Sequence, residues 1–433
     1  MDAITSDSRI IIYGAGKIGR RIFDLCEDRG IRVVQVWDNF PDKVVAFHRK
    51  ELISRPPDFS GAQTAAEYGL EGTTVIVTTF SPNMASMMAR PLMAKGFKKV
   101  IHDRSEISAI LIDHCNWLSE RQKFAFKLRD CFICPARRDE KVECNVFNAA
   151  LGMPNRDASD CVTLPALGFL LTTKCNLTCV GCNHLRDHFE KPHNVDFQSD
   201  EILGDLRKLL SAVDFVKSIV IVGGEALVHP DFESILRQVI DLPKIGFVQL
   251  ITNGTVLPKR ASVYELLSHP RVVVEISGYG NEPGHLRVNK RSKFFEQLSN
   301  YGVTYRYDEA TQWIDFGGFH ERNFTPEAWN RVYKTCCFVS NDLFNGQLHK
   351  CSRSAYGLFL GKIPEYKDDF VDVRGTSAEE LRGAVKKYVA RLPMVCRHCN
   401  GTTTKTMPAG VQVMRVARRA ARSEPSAEKG VVA

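Results

Sequence analysis

GFLLTTKCNLTCVGC, residues 168–182, runs from an apolar segment straight into three cysteines, Cys175, Cys179 and Cys182. The apolar run predicts a strand, so the thiols fall on the loop at a strand's carboxyl end, where α/β folds place their active sites. Three thiolates can hold three irons of a cubane and leave the fourth open, and an open metal position marks a catalytic centre rather than a structural one. A zinc site completed by His184, or cysteines that merely brace a loop, are the other readings of this spacing. Downstream, ILGDLRKLLSAV (202–213) and ESILRQVIDL (233–242) have helical spacing, whereas SIVIVGG (218–224), FVQLITNG (247–254) and VVVEISG (272–278) read as strands. This alternation predicts an α/β fold built on a parallel sheet.

Upstream, RIIIY (9–13) leads to Gly14, Gly16 and Gly19, then to a helix ending at Gly30 and a second strand, IRVVQVW, that stops at Asp38. That is the context a GxGxxG match requires. Amides around the glycines would bind a pyrophosphate and Asp38 a ribose hydroxyl; a domain that has lost its ligand and serves as an interaction module is the alternative. TVIVTT (74–79), a helix near 84–95 and a strand at 99–101 continue the pattern. Residues 111–165 lack it and carry Cys115, Cys131, Cys134, Cys144 and Cys161, of which Cys131, Cys134, Cys144 and Cys161 read either as metal ligands or as buried, unligated thiols.

At 433 residues the chain should form two or three domains, and 44% hydrophobic with 25% charged residues suits a soluble globular protein. No apolar run approaches the roughly 20 residues that span a bilayer, and the polar start MDAITSDSR lacks the regions of a signal peptide, so a cytoplasmic location is expected. Part of the net charge of +8 sits on Arg415, Arg418, Arg419 and Arg422 near the end, which reads as a solvated terminus rather than a nucleic-acid site. Fourteen cysteines grouped along a chain in a reducing compartment point to metal ligation.

CNLTCVGC resembles the CxxxCxxC signature of radical S-adenosylmethionine (SAM) enzymes, and the likeness extends over roughly 166–325. Gly223-Gly224-Glu225 is similar to the family's GGE motif, which engages the amino group of SAM, and ALVHPDF follows it. Thr252-Asn253-Gly254 and Ser277-Gly278 fall where further family strands end, with Ser277 resembling the residue that contacts the ribose. Glycine precedes the third cysteine where many members carry an aromatic. The resemblance implies a [4Fe-4S] cluster on Cys175, Cys179 and Cys182, with SAM on its open iron. One electron then cleaves SAM to a 5′-deoxyadenosyl radical that abstracts hydrogen from an unactivated carbon.

A second pattern comprises Cys336 and Cys337, Gly346 four residues before Cys351, and Cys396-Arg-His-Cys399. It resembles the auxiliary-cluster extensions called SPASM and twitch domains. Either Cys336 or Cys337, with Cys351, Cys396 and Cys399, would close one further [4Fe-4S] cluster, and a zinc knuckle is the alternative. The expected architecture is a Rossmann-like domain (1–110), a cysteine-containing linker (111–165), a partial (β/α) radical SAM barrel (166–328), a small twitch-like domain (329–405) and a basic disordered tail (406–433). The first domain also resembles the sugar-nucleotide-binding domains of some sugar acyltransferases. The expected function is therefore radical oxidation, dehydration or epimerisation of a sugar, aminocyclitol or sugar nucleotide, an oxidoreductase or lyase reaction. A flavodoxin or ferredoxin-type protein would donate electrons, and no nucleic acid or membrane partner is expected. Peptide modification, and iron-sulfur electron transfer without SAM turnover, are the competing functions.

Overall fold

A computed structural model describes residues 4–413, apart from 6, 45–46, 48, 59–63, 80–81, 122–125, 133, 135–143, 155–159, 280–290, 310, 337–340 and 403–404. The chain divides into two compact units, Met1–Ala150 and Leu151–Ala433.

The first unit is a parallel sheet of β1 (Arg9–Tyr13), β2 (Arg32–Trp37), β3 (Ile53–Ser54), β4 (Thr74–Val77) and β5 (Lys99–Ile101), in the order β3-β2-β1-β4-β5. Side chains alternate across a strand, and β1 shows what that does. Ile10 and Ile12 join one core with Ile18, Ile22 and Leu25 of helix α1 (Lys17–Asp28) and with Leu111 of a later helix. Ile11 faces a second core with Trp37, Val75 and with Ala85 and Leu92 of α2 (Pro82–Met93). A sheet buried on both faces, with the chain reversing direction of travel beside β1, is the doubly wound arrangement. Helices α3 (Arg104–Glu120), α4 (Leu128–Phe132) and α5 (Asn145–Ala150) complete the unit. Much of the stretch expected to be a linker therefore packs here, because α3 buries Ile107, Leu111 and Cys115 on its inward stripe.

The second unit has β6 (Thr163–Leu164), β7 (Leu167–Leu170), β8 (Phe215–Val222), β9 (Ile245–Thr252), β10 (Val272–Gly278) and β11 (Tyr305–Glu309). Strands β7 to β11 lie side by side in chain order and parallel, while β6 pairs with β8. Helices α6 (Ser199–Ala212), α7 (Phe232–Asp241), α8 (Ala261–Leu267) and α9 (Arg291–Asn300) connect successive strands. Winding always in one direction places the crossovers on one face, as in a (β/α) barrel, here a partial one. The α7 residues Phe232, Ile235, Leu236, Val239 and Ile240 show the period that buries each helix.

Further on come β12 (Gln312–Ile314), α10 (Pro326–Lys334), β13 (Asp342–Phe344), β14 (Gln347–His349), α11 (Ser352–Phe359), β15 (Phe370–Asp372), α12 (Ala378–Ala390) and β16 (Thr406–Pro408). Strands β13 to β15 extend the barrel sheet from its β7 edge rather than forming a layer of their own, and β13 runs parallel to β7. Arg374, just after β15, grips the Asp205 carboxylate of α6 with hydrogen bonds of 2.8–3.1 Å. Residues 406–413 correct the expectation of a disordered tail from 406 onward. There β16 pairs with β12, and 411–413 hydrogen-bond to the cysteine loop, which satisfies their backbone. The tail arginines, within 414–433, lie outside the described residues. No helix among the described residues is long and apolar enough to cross a membrane.

Candidate functional site

Beyond β7 the chain stays paired with β8 for a few residues, then turns into the cysteine loop. Leu171 N donates to Val222 O (3.1 Å), Gly224 N to Thr172 O (2.9 Å) and Glu225 N to Lys174 O (2.9 Å). A Cβ on Gly223 would lie 2.5 Å from Thr172 O and one on Gly224 2.1 Å from Lys174 O, so only glycine permits this approach. Arg186 is buried, and its Nη1 donates to Thr173 O (2.6 Å) and Asn194 Oδ1 (3.0 Å), tying the far side of the loop to its start. Gly181 has φ +67°, and Met407 occupies the place a side chain would need. That accounts for glycine where an aromatic might have stood.

Glu225 joins three loops. Its Oε1 accepts from Thr252 Oγ1 (2.9 Å) and Leu227 N (3.2 Å), and its Oε2 from Asn253 N (2.8 Å). Asn253 Nδ2 donates to Asn176 Oδ1 (3.0 Å) and lies 3.8 Å from Cys175 Sγ, while Asn176 Nδ2 reaches Thr255 Oγ1 (2.7 Å). Burial raises the Glu225 carboxyl above its ordinary pKa although three donors oppose this. Ser277 lies at the same edge of the sheet, one residue past Ile276, whose register partner is Thr252. The structure thus gathers the segments containing Cys175, Cys179, Cys182, Glu225, Asn253 and Ser277 at the carboxyl ends of β7 to β10.

The thiols fit a cluster by their chemistry. Burial pushes the Cys175 and Cys179 thiols up to about 12 and raises Cys182, so the metal-free loop holds neutral thiols and ligation would release their protons. Arg186 Nε is buried without a hydrogen-bond partner, and its charge acts on all three sulfurs. A buried cation needs a compensating anion, which thiolates on a metal centre would supply. Among the described residues no three His, Cys, Asp or Glu side chains converge on a single-ion site. Ligands of a cubane need not, since each binds a different iron. His184 binds Gly223 O through Nδ1 and packs on Tyr356, with its pKa lowered to about 4 by burial. His229 accepts from Asp231 N (3.1 Å) within a local turn, and its Nε2 lies 3.0 Å from Phe197 O, 32 residues earlier.

Two neighbours escaped the sequence. Tyr279, one residue past Gly278, packs edge-on against Trp313 (5.4 Å). Burial first, then Cys179, Cys182, Cys175 and Glu225, push its hydroxyl well above the ordinary pKa, which locates it beside the thiols. Gln412 spans the loop from outside: its Oε1 accepts from Thr178 N (2.8 Å) and its Nε2 donates to Cys179 Sγ (3.1 Å). Val180 N to Val411 O (2.7 Å) and Val413 N to Thr178 O (3.0 Å) make this a short antiparallel pairing.

Cys336 follows α10, Cys351 stands at the start of α11, and Cys396 lies within the helical turn Met394–His398, which Cys399 directly follows. The GxxxxC spacing reflects a hairpin. Asn345 and Gly346 both have positive φ, as a type I′ turn requires, and β14 then delivers the chain to Cys351. Cys396 feels burial first and then Cys351, Cys399 and Cys336, all raising its thiol, so the four lie together. Asp369 fixes the CxxC turn by accepting from Met394 N (2.7 Å) and Val395 N (2.6 Å). Arg353 and Arg322 stand within electrostatic reach of Cys399, and Lys350 of Cys396. Cys337 lies outside the described residues.

In the first unit, Gly14 and Gly16 form the turn from β1 into α1, and a Cβ on Gly19, in the first turn of α1, would strike Gly14 O at 1.9 Å. Asp38 Oδ2 accepts from Ala15 N (2.9 Å) and Oδ1 from Phe40 N (2.8 Å), so this carboxylate already braces the glycine turn.

Residues 169–300 match the family model of the Radical SAM superfamily, so this stretch of the chain carries a radical SAM domain. The chain is 35% identical over 106 residues to a GTP 3′,8-cyclase of Pelotomaculum thermopropionicum, covering 24% of this chain and 32% of that one. It is 32% identical over 98 residues to a GTP 3′,8-cyclase of Stenotrophomonas maltophilia, covering 23% and 29%. The chain thus spans about a third of the length of these curated relatives. Among solved structures, BtrN in complex with AdoMet and 2-DOIA superposes with a TM-score of 0.35 at 15% identity, covering 55% of this chain and 94% of that one. Streptococcus suis SuiB bound to precursor peptide SuiA gives 0.29 at 18% identity, covering 46% of each.

Proposed function

We propose that Cys175, Cys179 and Cys182 ligate the radical SAM cluster, and that the enzyme abstracts hydrogen from a carbinol carbon of a sugar, aminocyclitol or sugar nucleotide. When bound, the reduced cluster and SAM supply the 5′-deoxyadenosyl radical. The chain's own residues bind, orient and shield. Gly223, Gly224 and Glu225 receive the amino group of SAM, Asn253 holds the loop beside Cys175, and Ser277 offers a hydroxyl to the ribose. Residues 406–413 keep water from the outer side of the cysteine loop.

The observation that carries this reading is the Glu225–Asn253–Asn176 network, which ties three separate motifs into one hydrogen-bonded edge. Cys336, Cys351, Cys396 and Cys399 would hold one auxiliary [4Fe-4S] cluster, closed by four thiolates and so without an iron open to substrate. A closed cluster suits electron transfer during oxidation of a small carbinol. The glycine turn at Gly14, Gly16 and Gly19 with Asp38 supports a nucleotide or sugar-nucleotide ligand in the first unit. A flavodoxin or ferredoxin-type protein would supply the electron.

Comparative mass spectrometry of metabolites from a deletion strain, followed by assay of the accumulated compound, tests the substrate. A sugar-derived compound that stimulates 5′-deoxyadenosine formation is the expected result. Stimulation by a peptide alone would replace this reading with peptide modification.

A further inference from the structure

Four cysteines of the first unit meet without any motif to announce them. Cys115 sits on the buried face of α3, Cys131 in the last turn of α4, Cys134 just beyond it, and Cys144 immediately before α5. All four line one small cleft with Arg21 and Phe147. Arg21 Nη2 donates to Cys115 Sγ at 3.6 Å, a cation directed at sulfur. We propose that Cys115, Cys131, Cys134 and Cys144 form a closed four-thiolate site for an iron-sulfur cluster, each thiolate on a different iron, which pins the end of the first unit.

Three features support it. Helices α4 and α5 have five and six residues, too short to persist on their own hydrogen bonds, and a metal tying both to α3 supplies stability that so small a core lacks. None of the four cysteines is in a disulfide. Cys131 lies in a helix's last turn rather than at its start, where a redox CxxC cysteine gains acidity. Binding the metal would release the thiol protons to solvent, leaving a negatively charged centre beside Arg21. Cys161, adjacent to this group in sequence, belongs instead to the second unit, within electrostatic reach of Arg382.

The test uses the full-length protein, with iron and sulfide measured per chain after anaerobic purification and reconstitution. Cys131→Ser/Cys134→Ser should lose about four irons with their sulfide. Cys161→Ser should lose neither. Identical metal content in wild type and the double variant would overturn the proposal. Should the double variant not fold, alkylation of wild type before and after metal removal, mapped by mass spectrometry, decides. Cys115, Cys131, Cys134 and Cys144 should become reactive together on removal, and unchanged labelling refutes the site. SAM cleavage is measured separately, so a failure of the radical SAM ligand assignment would not be mistaken for a failure here.

Discussion

The cysteine loop at 175–182 and the cysteines at 336, 351, 396 and 399 both bring buried thiols together, but by opposite routes. The first does so within one turn of chain, and its neighbours add only a frame of glycines, Glu225 and Asn253. The second assembles from the end of α10, the Asn345-Gly346 hairpin and a turn fixed by Asp369, so its geometry depends on strands added to the barrel edge. Local spacing therefore makes one site robust and recognisable. Long-range folding makes the other conditional.

That contrast can be broken first at the ligands. Cys175→Ala/Cys179→Ala/Cys182→Ala should remove about four irons per chain while the auxiliary set keeps its own, and Cys396→Ala/Cys399→Ala should do the converse; iron analysis with electron paramagnetic resonance would show whether the losses are independent. Loss of all iron in either variant would show that the two sites fold as one. Next comes the frame. Asn253→Ala should lower SAM cleavage about 10- to 100-fold, the usual range for partners of metal ligands, with iron content nearly kept. Asp369→Ala leaves two backbone N–H groups unpaired and should cost about 1–3 kcal/mol in denaturant melts, with auxiliary iron lost before radical SAM iron. The smallest effect is expected at Gln412. Gln412→Leu removes the N–H donor to Cys179 Sγ and should lower the midpoint potential of the cluster on the cysteine loop, since a reduced cluster gains most from such a donor. An unchanged potential by spectroelectrochemistry would confine Gln412 to bracing the loop.

Most of the barrel and the motif residues were legible because their signals are local. Strand alternation gave β7 to β10, and Gly223 and Gly224 could be found because a strand must end where another backbone approaches. Tyr279 carried no such signal, being one aromatic after a strand. Gln412 is separated from Cys179 by 233 residues, and nothing in the composition near 406–413 distinguishes a paired segment from a tail. Cys115 was likewise hidden, since a cysteine on an amphipathic helix face reads as core until the chain brings Cys131, Cys134 and Cys144 to it.

The central claim concerns what Cys175, Cys179 and Cys182 do. Anaerobically reconstituted protein, reduced with dithionite and given SAM, should form 5′-deoxyadenosine, and the triple alanine variant, with its auxiliary iron intact, should form none. Equal formation of 5′-deoxyadenosine by the variant would contradict the account.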